Sequence, residues 1–426
     1  MFDLKKFSVI VIGVVLSIFI GTGLMIFVYS IPNDKAIKNV REAIPLYERE
    51  GTYPSWGLAE HTKLDNFTDA IMLLEVVHPQ SGSVIESALL NPRYGMTHDE
   101  EPVEALKSVL RGETSTLTEL NYPRYWHGYL LILKPMLTAT SVNHVRMLMA
   151  YVDFILFVVV LLLFRNELGT KFAVAFAAAV MVLNLVSLSM SFQFSSIFVV
   201  TMIALIIMLT KNNLMFDGDL YPYFFAAIGI IIAFTDFLTY PIFSVAMMLT
   251  VWYVLNRRKL LSEKLSVVLK FMTSLLISWG IGYVGMWSGK WIAAQILTGE
   301  NVLMNAVHQV SVYTQVSNDL TQVGWQITSF GAIQRNIAVV GHGTIRIFIF
   351  AAILTFIFML IKRRREILFT ARKILPYVFP AALPFIWYAV AAGHSSIHAF
   401  FTYRSLAATI FALSCLAIDL FAREDF

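Results

Sequence analysis

The chain has 426 residues, of which 58% are hydrophobic and 14% are charged, and its mean hydropathy is +0.69. Soluble globular chains are roughly 45–50% apolar and about 25% charged, so this composition excludes an ordinary soluble protein and indicates lipid as the solvent. The net charge of +4 is spread along the chain, which argues against a nucleic-acid partner. Cys415 is the single cysteine and lies in an apolar run, so no intrachain disulfide or Cys-x-x-Cys metal site is predicted.

Ten apolar runs approach the length of about 20 residues that a helix needs to cross a bilayer. They are residues 8–29, 144–164, 172–189, 194–210, 222–238, 240–256, 266–287, 343–361, 374–392 and 402–421. The first run is too long for the apolar part of a signal peptide, so we expect it to be a retained helix. The sequence predicts an all-α integral membrane protein with about ten transmembrane helices.

The basic residues assign a side of the membrane to each predicted loop. Ten helices place both termini on one side, and the short loops on that side are rich in Lys and Arg. These loops are residues 165–171, 211–221, 256–264 and 362–373. Basic loops face the cytoplasm, so we expect both termini to be cytoplasmic and the protein to be a multi-pass protein of the cell (plasma) membrane.

The same pattern divides the chain into five parts. They are a first transmembrane helix (1–30), an extracytoplasmic loop domain (31–143), transmembrane helices 2–7 (144–287), a second extracytoplasmic segment (288–342), and transmembrane helices 8–10 with a cytoplasmic tail (343–426). Helical spacing in the loop domain predicts amphipathic helices near residues 37–47, 64–77 and 101–112, with Pro45 a candidate break in the first. The apolar stretch 129–137 is short and reads as an interfacial or re-entrant piece.

Two acids in the loop domain are candidate catalytic groups. Asp65 and Asp69 are four residues apart and therefore share one face of a helix. One carboxylate there is suited to act as general base on an acceptor hydroxyl. The alternative is structural, because Asp65 is a good helix N-cap and an acid at Asp69 suits a first helical turn.

A dense aromatic and basic cluster lies where the loop domain returns to the membrane, at Arg124, Tyr125, Trp126 and His127. Aromatic rings stack on sugars, and Arg and His donate to phosphate or hydroxyl oxygens. The alternative is an interfacial aromatic belt. Lys290, between two tryptophans, either neutralises a lipid phosphate or extends to the interface without a function.

A third group lies near the last predicted helix. Ionisable residues at membrane depth mark functional sites, so His394, His398 and Arg404 are candidates, and Arg is suited to hold a phosphate. An Arg that merely extends to the interface is the alternative. Two histidines four apart suit zinc, but no third ligand is evident, so no metal is predicted. The fifth and sixth runs meet at residues 236–241, and Asp236, in the turn before Tyr240, is expected to line a cavity.

The first helix, the large outer loop with amphipathic helices and an acid, and the many-helix bundle together resemble the GT-C superfamily of membrane glycosyltransferases. Five short stretches look similar to bacterial members that modify cell-envelope polysaccharides. They are DNFTD (65–69), RYWHGY (124–129), DFLTYP (236–241), GMWSGKW (285–291) and HAFFTYR (398–404).

The resemblance implies an inverting transfer of a sugar from a polyprenyl-phosphate donor to an envelope polysaccharide acceptor. Asp65 or Asp69 would take the proton of the acceptor hydroxyl. The residues expected to stabilise the departing lipid phosphate are Arg404, Lys290, His398 and Arg124. The residues expected to contact the substrates are Tyr125, Trp126, His127, Asp236, Tyr240 and His394. The donor arrives already activated, so no cofactor is implied; membrane lipid, a flippase and a donor synthase are the implied partners.

Three other functions stay open from the sequence. A flippase or transporter of lipid-linked sugars often has internal repeats, and none is visible here. A non-catalytic partner in an envelope-assembly complex would tolerate neutral residues at Asp65 and Asp69. A polymerase or ligase of lipid-linked glycans would use the same kind of substrate.

Overall fold

The computed structural model describes residues 3–79, 82–98, 101–113, 115–260, 262–316, 327–341, 361 and 371–421. Within these ranges the chain is mostly helical, and six helical spans are long and apolar enough to cross a membrane. They are α1 (Leu4–Tyr29), α8 (Val142–Leu168), α11 (Phe192–Asp217), α14 (Leu265–Thr298), a span in α17 (Ala371–Val390), and the span Ala399–Leu420, most of which is α20 (Leu406–Phe421). The chain is therefore a mostly helical protein suited to a membrane, as predicted. Two predicted segments lie almost wholly outside the described residues. They are the run 343–361, of which only residue 361 is described, and the loop 362–373, of which only residues 371–373 are described.

Four further apolar helices are shorter. They are α7 (Leu130–Ala139), α9 (Thr170–Leu183), α12 (Tyr221–Thr235) and α13 (Ile242–Asn256). The predicted run 172–189 is interrupted at Asn184, whose φ of 55° is left-handed and ends α9. Asparagine adopts this conformation because its short side chain can bond locally, and here it accepts from the amide of Ser187 and caps α10 (Leu185–Met190).

The segment between α1 and α8 folds into short helices. They are α2 (Asp34–Arg41), α3 (Ile44–Glu50), α4 (Asn66–Val77), α5 (Val84–Leu90) and α6 (Pro102–Arg111), with a 3₁₀ turn at Glu60–Thr62. The second and third predicted amphipathic helices correspond to α4 and α6. The first is two helices, because the chain breaks before Pro45, which then occupies the first turn of α3, where its missing N–H is tolerated.

A small antiparallel ladder was not expected from the sequence. Strand β1 (Pro92–Met96) pairs with β2 (Leu117–Asn121), with Arg93 opposite Leu120. After α14 the chain forms α15 (Val302–Thr314), α16 (Ser329–Val340), and, beyond α17, the short helices α18 (Ala392–Ile397) and α19 (Ala399–Thr402).

The bundle has two distinct ends. At the "terminal end", Lys6 near the start of α1 pairs with Asp219, and Arg257 pairs with Asp419 near the end of α20, at 3.3 Å. At the "loop end", the segment 30–141 packs on the bundle, as in the bond from Asn91 to the Tyr29 hydroxyl at the end of α1. Chain direction alternates from helix to helix, so the turns after α9, α12 and α14 all lie at the loop end.

Two glycines bring α12 and α14 into direct backbone contact. A Cβ atom added at Gly229 would lie 2.2 Å from the carbonyl oxygen of Trp279, and one at Gly282 would lie 2.1 Å from that of Ala226. Small residues permit such close approach between membrane helices, where packing replaces the hydrophobic effect as the driving force. This closely packed pair forms one side of the bundle.

Candidate functional site

The first part of the site is Asp65, which is buried with 2% exposure at the N-terminus of α4. Its carboxylate accepts from the amide and the hydroxyl of Thr68, at 3.1 and 2.9 Å, and from the side-chain amide of Gln193. Its own amide donates to the Ser191 hydroxyl at 3.0 Å. Asp65 therefore caps α4, and the same carboxylate ties α4 to the start of α11.

Asp69 lies one turn further along and is fully buried. It accepts from the Phe192 amide at 2.8 Å and pairs with Arg146 of α8 at 3.4 Å. Arg146 also donates to Asn66 at 2.7 Å and to Glu50 at 3.1 Å. We call Glu50, Asn66, Asp69 and Arg146 the "anchor cluster", because it joins α3 and α4 to the bundle.

The two acids share one electrostatic property. Burial raises the pKa of Asp65 to about 6, against the opposing effect of the Thr68 hydrogen bonds. Burial also raises the pKa of Asp69 to about 7, opposed chiefly by the Arg146 charge. A carboxylate whose pKa lies near the working pH is both present as a base and strong enough to accept a proton. Geometry distinguishes the two acids, because among the described residues Asp69 forms an ion pair, with Arg146, and Asp65 does not.

The second part of the site is Arg404, which has 0% exposure. Its Nε donates to the Leu183 carbonyl at 3.1 Å and its Nη1 to the Phe400 carbonyl at 3.3 Å, while the guanidinium carbon lies 4.1 Å from the centre of the Phe194 ring. Its Nη2 atom is buried and has no hydrogen-bond partner among the described residues. Within the described part of the chain, the charge of Arg404 is thus surrounded by carbonyls and rings rather than by a carboxylate.

Asp65 and Arg404 contact consecutive residues in the first turn of α11. Asp65 bonds Gln193, and Arg404 stacks on the next residue, Phe194. The break at Asn184 contributes, because it leaves the Leu183 carbonyl free to accept from Arg404. We call this pair and the residues it touches the "Asp65–Arg404 site".

The turn 236–241 borders this site. Asp236 accepts from the amide and hydroxyl of Thr239, at 2.9 and 2.5 Å, and so holds its own turn. The Tyr240 hydroxyl donates to the Phe194 carbonyl at 2.5 Å, and His394 donates from Nε2 to the Leu238 carbonyl at 2.8 Å.

The predicted histidine pair also lies at this border. The rings of His394 and His398 are 4.9 Å apart, and the His398 ring stacks on Phe401. Asp236, Tyr240 and His394 are therefore neighbours of the Asp65–Arg404 site, and His398 reaches it through His394.

The cluster at residues 124–127 forms a second group. Arg124 donates to Gln309 of α15 at 2.5 Å, and the hydroxyls of Tyr125 and Tyr313 are 3.0 Å apart. Phe237, next to Asp236, packs against Tyr125 at 5.3 Å and so links this group to the border turn. No contact among the described residues joins Arg124 directly to Asp65 or Arg404.

Trp126 and His127 are interior residues that hold this turn. Trp126 donates to the Met286 carbonyl at 2.6 Å. His127 bonds the Tyr122 carbonyl through Nε2 at 2.8 Å, and its Nδ1 lies 2.9 Å from both the Tyr129 hydroxyl and Glu75. Both side chains are almost fully buried, so their direct structural role is to fix the turn that carries Arg124.

Lys290 has 0% exposure and lies with this second group. Its ammonium donates to Asn91 at 2.7 Å and to the Ala88 carbonyl at 3.0 Å, and it lies 5.4 Å from the centre of the Trp126 ring. In this arrangement Lys290 fastens α5 to α14.

An open cavity of about 380 Å³ lies beside the second group. Its lining includes Arg124, Tyr122, Asn121 and Asn305, together with Arg93 of β1. It opens at the loop end among polar side chains, whereas Asp65 and Arg404 are enclosed.

Four residues of this region were missed from the sequence, namely Glu50, Glu75, Arg146 and Gln193. Arg146 and Glu75 carried a signal, because each is a charge within an apolar stretch of a predicted helix, and such charges require a partner. Nothing in the sequence identified Glu50 or Gln193, since their roles depend on contacts with distant residues.

Within the described ranges, no group of three or more His, Cys, Asp or Glu side chains is arranged to hold a metal ion. Comparison with known proteins gives no information on function, because no family model, curated protein or solved structure matches the chain. The function must therefore be argued from the site.

Proposed function

We propose that the protein is a membrane glycosyltransferase that moves a sugar from a polyprenyl-phosphate donor to a cell-envelope glycan. The observation that supports this most is the buried guanidinium of Arg404, which has an unused Nη2 donor and stacks on the residue next to the one that bonds Asp65. Buried charges in proteins are paired or bind a ligand. A phosphate at Arg404 would satisfy this requirement and would place the donor sugar near a carboxylate.

In the proposed reaction, Asp65 acts on the acceptor and Arg404 acts on the donor phosphate. Asp65, whose pKa burial raises to about 6, takes the proton from the acceptor hydroxyl. The hydroxyl oxygen attacks the anomeric carbon, the bond from that carbon to the phosphate oxygen breaks, and the sugar configuration is inverted. Polyprenyl phosphate leaves with the added negative charge, which Arg404 stabilises. Asp69 is the second candidate base, and its pairing with Arg146 makes it the less available of the two.

The other predicted residues take supporting roles in this proposal. Asp236, Tyr240, His394 and His398 form the wall next to the donor phosphate. Arg124 lines the cavity, and Tyr125 is the next residue along the chain. We assign the acceptor glycan to that cavity because it is open and polar. Lys290, Trp126 and His127 hold the second group in place.

The proposal includes a topology of ten transmembrane helices with both termini in the cytoplasm of the cell that bears the envelope. The terminal end carries Lys6, Arg257 and Lys259, as expected for a cytoplasmic face. The loop end, with the Asp65–Arg404 site, then faces the envelope, where a flippase would deliver the donor made by a synthase.

The direct test is transfer of radiolabelled sugar from a panel of polyprenyl-phosphate sugars to an envelope polysaccharide by the purified protein. We expect transfer by the wild type. Replacing a general base or a charge-stabilising group typically lowers the rate by about 10²–10⁴-fold, so Asp65→Asn and Arg404→Gln should each show a loss of this order.

Matched controls separate catalysis from folding. Asp217→Asn and Arg111→Gln neutralise the same residue types in exposed ion pairs outside the site and should keep full activity. Absence of transfer from every donor, with lipid-linked sugar crossing proteoliposomes instead, would refute the enzyme and favour a flippase. Full transfer by Asp65→Asn with loss in Asp69→Asn would move the base to Asp69.

A further inference from the structure

A loop formed by residues 51–64, the "covering loop", lies over the Asp65–Arg404 site. It begins at Gly51, whose φ of 68° favours glycine. Its two ends are joined, because the Leu64 amide donates to the Pro54 carbonyl at 2.8 Å and Ser55 forms a β-bridge with Lys63. A loop whose ends are close together is a compact unit that can move as one piece.

The covering loop rests on the two segments that hold Arg404. The carbonyls of Leu183 and Phe400 accept from the guanidinium. Asn184, the residue after Leu183, donates to the His61 carbonyl of the loop at 2.9 Å, and the Tyr53 ring packs edge-on against Phe400 at 5.6 Å. At its end the loop leads directly into Asp65.

Apart from the ring contacts of Tyr53 with Phe67 and Phe400, polar contacts attach the covering loop. Trp56 donates to the Ser187 hydroxyl at 2.9 Å, and Glu60 pairs with Arg335 at 3.4 Å. Leu64, at the end of the loop beside Asp65, is its one buried hydrophobic side chain, whereas Trp56 is 52% exposed and Leu58 is fully exposed at the tip. Segments with few buried apolar contacts open locally at low free-energy cost, while the rest of the fold stays intact.

We propose that the covering loop is the gate through which ligands reach Asp65 and Arg404. It opens by releasing Ser187, Asn184, Arg335 and the Phe400 ring, and it swings as a unit from Gly51. The exposed Trp56 and Leu58 suit the membrane interface, where tryptophan is enriched, so a lipid-linked substrate would meet the gate from the membrane side. The identity of that substrate rests on the proposed function, but the gating itself does not.

A cysteine-accessibility experiment tests the gate without any assay of catalysis. In a Cys415→Ala background, Ser191→Cys reports on the space beneath the loop, and Ser278→Cys is the control, because both serines are fully buried. Removing one latch contact by Trp56→Phe or by Glu60→Gln should speed labelling of the Ser191→Cys reporter by a maleimide about fivefold, as expected for one hydrogen bond of ordinary strength. Labelling of the Ser278→Cys control should not change. If Ser191→Cys does not fold, Gln193→Cys serves as the second reporter.

A second arm links the gate to transfer. Trp56→Cys with Ser187→Cys, joined by a reducible bis-methanethiosulfonate linker in the Cys415→Ala background, holds the loop closed. Transfer should be lost on linkage and return on reduction. Equal reporter labelling with and without the latch contacts would overturn the gate. Faster labelling in the latch variants, with no transfer by the wild type from any donor, would keep the gate and reject the glycosyltransferase.

Discussion

The anchor cluster gives the sharpest stability prediction, made on Arg146. This side chain forms its three polar contacts with Glu50 at 3.1 Å, Asn66 at 2.7 Å and Asp69 at 3.4 Å. The Arg146→Met change keeps an apolar stem of similar length but removes every donor. Asp69, which is fully buried, then loses its counter-charge, so it must either hold an uncompensated charge or take up a proton.

Breaking a buried ion pair from one side costs about 3–5 kcal/mol, and we expect a loss of this size in the free energy of unfolding of the Arg146→Met variant. Denaturant unfolding of the protein in detergent micelles, followed by tryptophan fluorescence, measures it. Arg146→Lys keeps the charge but loses the planar fork, so its loss should be intermediate.

A triple variant at Arg146, Asp69 and Glu50 tests whether charge is the source of this loss in stability. Adding Asp69→Asn and Glu50→Gln to Arg146→Met removes the uncompensated charges, so this triple variant should recover most of the lost stability, as buried pairs replaced on both sides often do. If the triple variant were less stable than Arg146→Met, the carboxylates would not be the source of the cost, and the electrostatic account of the anchor cluster would be wrong.

Other predictions concern pH and packing. Burial raises the pKa of Asp65 from 3.8 to about 6, so between these values the folded state holds a proton that the unfolded state releases, and stability should fall as pH rises through this window. Asp65→Asn should remove roughly 3 kcal/mol of that pH dependence, measured as the free energy of unfolding at pH 4 to 7. If the slope of this free energy against pH did not change, the pKa assigned to Asp65 would be wrong. Gly282→Ala should destabilise by about 1–3 kcal/mol because its Cβ would overlap the Ala226 carbonyl. Gly280→Ala, two residues away with open space around it, should be neutral or stabilising by up to about 1 kcal/mol in the same unfolding assay, and equal effects at both positions would refute the close contact.

Most of the helical framework followed from the sequence, because apolar runs of membrane length have few other solutions. The capping role of Asp65 was also visible as an alternative, since an acid before a helical pattern is a local signal, and the structure shows that role directly. Its catalytic role stays a prediction. The interruption at Asn184 was not predicted, although an asparagine within an apolar run is a local signal for such a break.

The features that the sequence did not predict depend on contacts between distant residues. Strand β1 reads Pro-Arg-Tyr-Gly-Met, which has no period-two pattern and contains two residues disfavoured in strands, so only its partner β2 defines it. Arg146 pairs with Asp69, and Asp65 and Arg404 contact consecutive residues at the start of α11. These contacts join parts of the chain that no local pattern connects. Sequence reasoning could name the charges but not their partners.

The short helix α12 has a consequence for the membrane itself, because part of its surface, including Ile231, is exposed on the outside of the bundle. It has 15 residues and spans about 22 Å, which is less than the roughly 30 Å of an average hydrocarbon core. Lipid next to a short helix must thin, at a cost of fractions of a kcal/mol per Å of mismatch. Thinner bilayers should therefore favour this protein, and its stability in nanodiscs should rise as the acyl chains of the lipid are shortened. A membrane thinned at this point would also bring the lipid headgroups closer to the Asp65–Arg404 site.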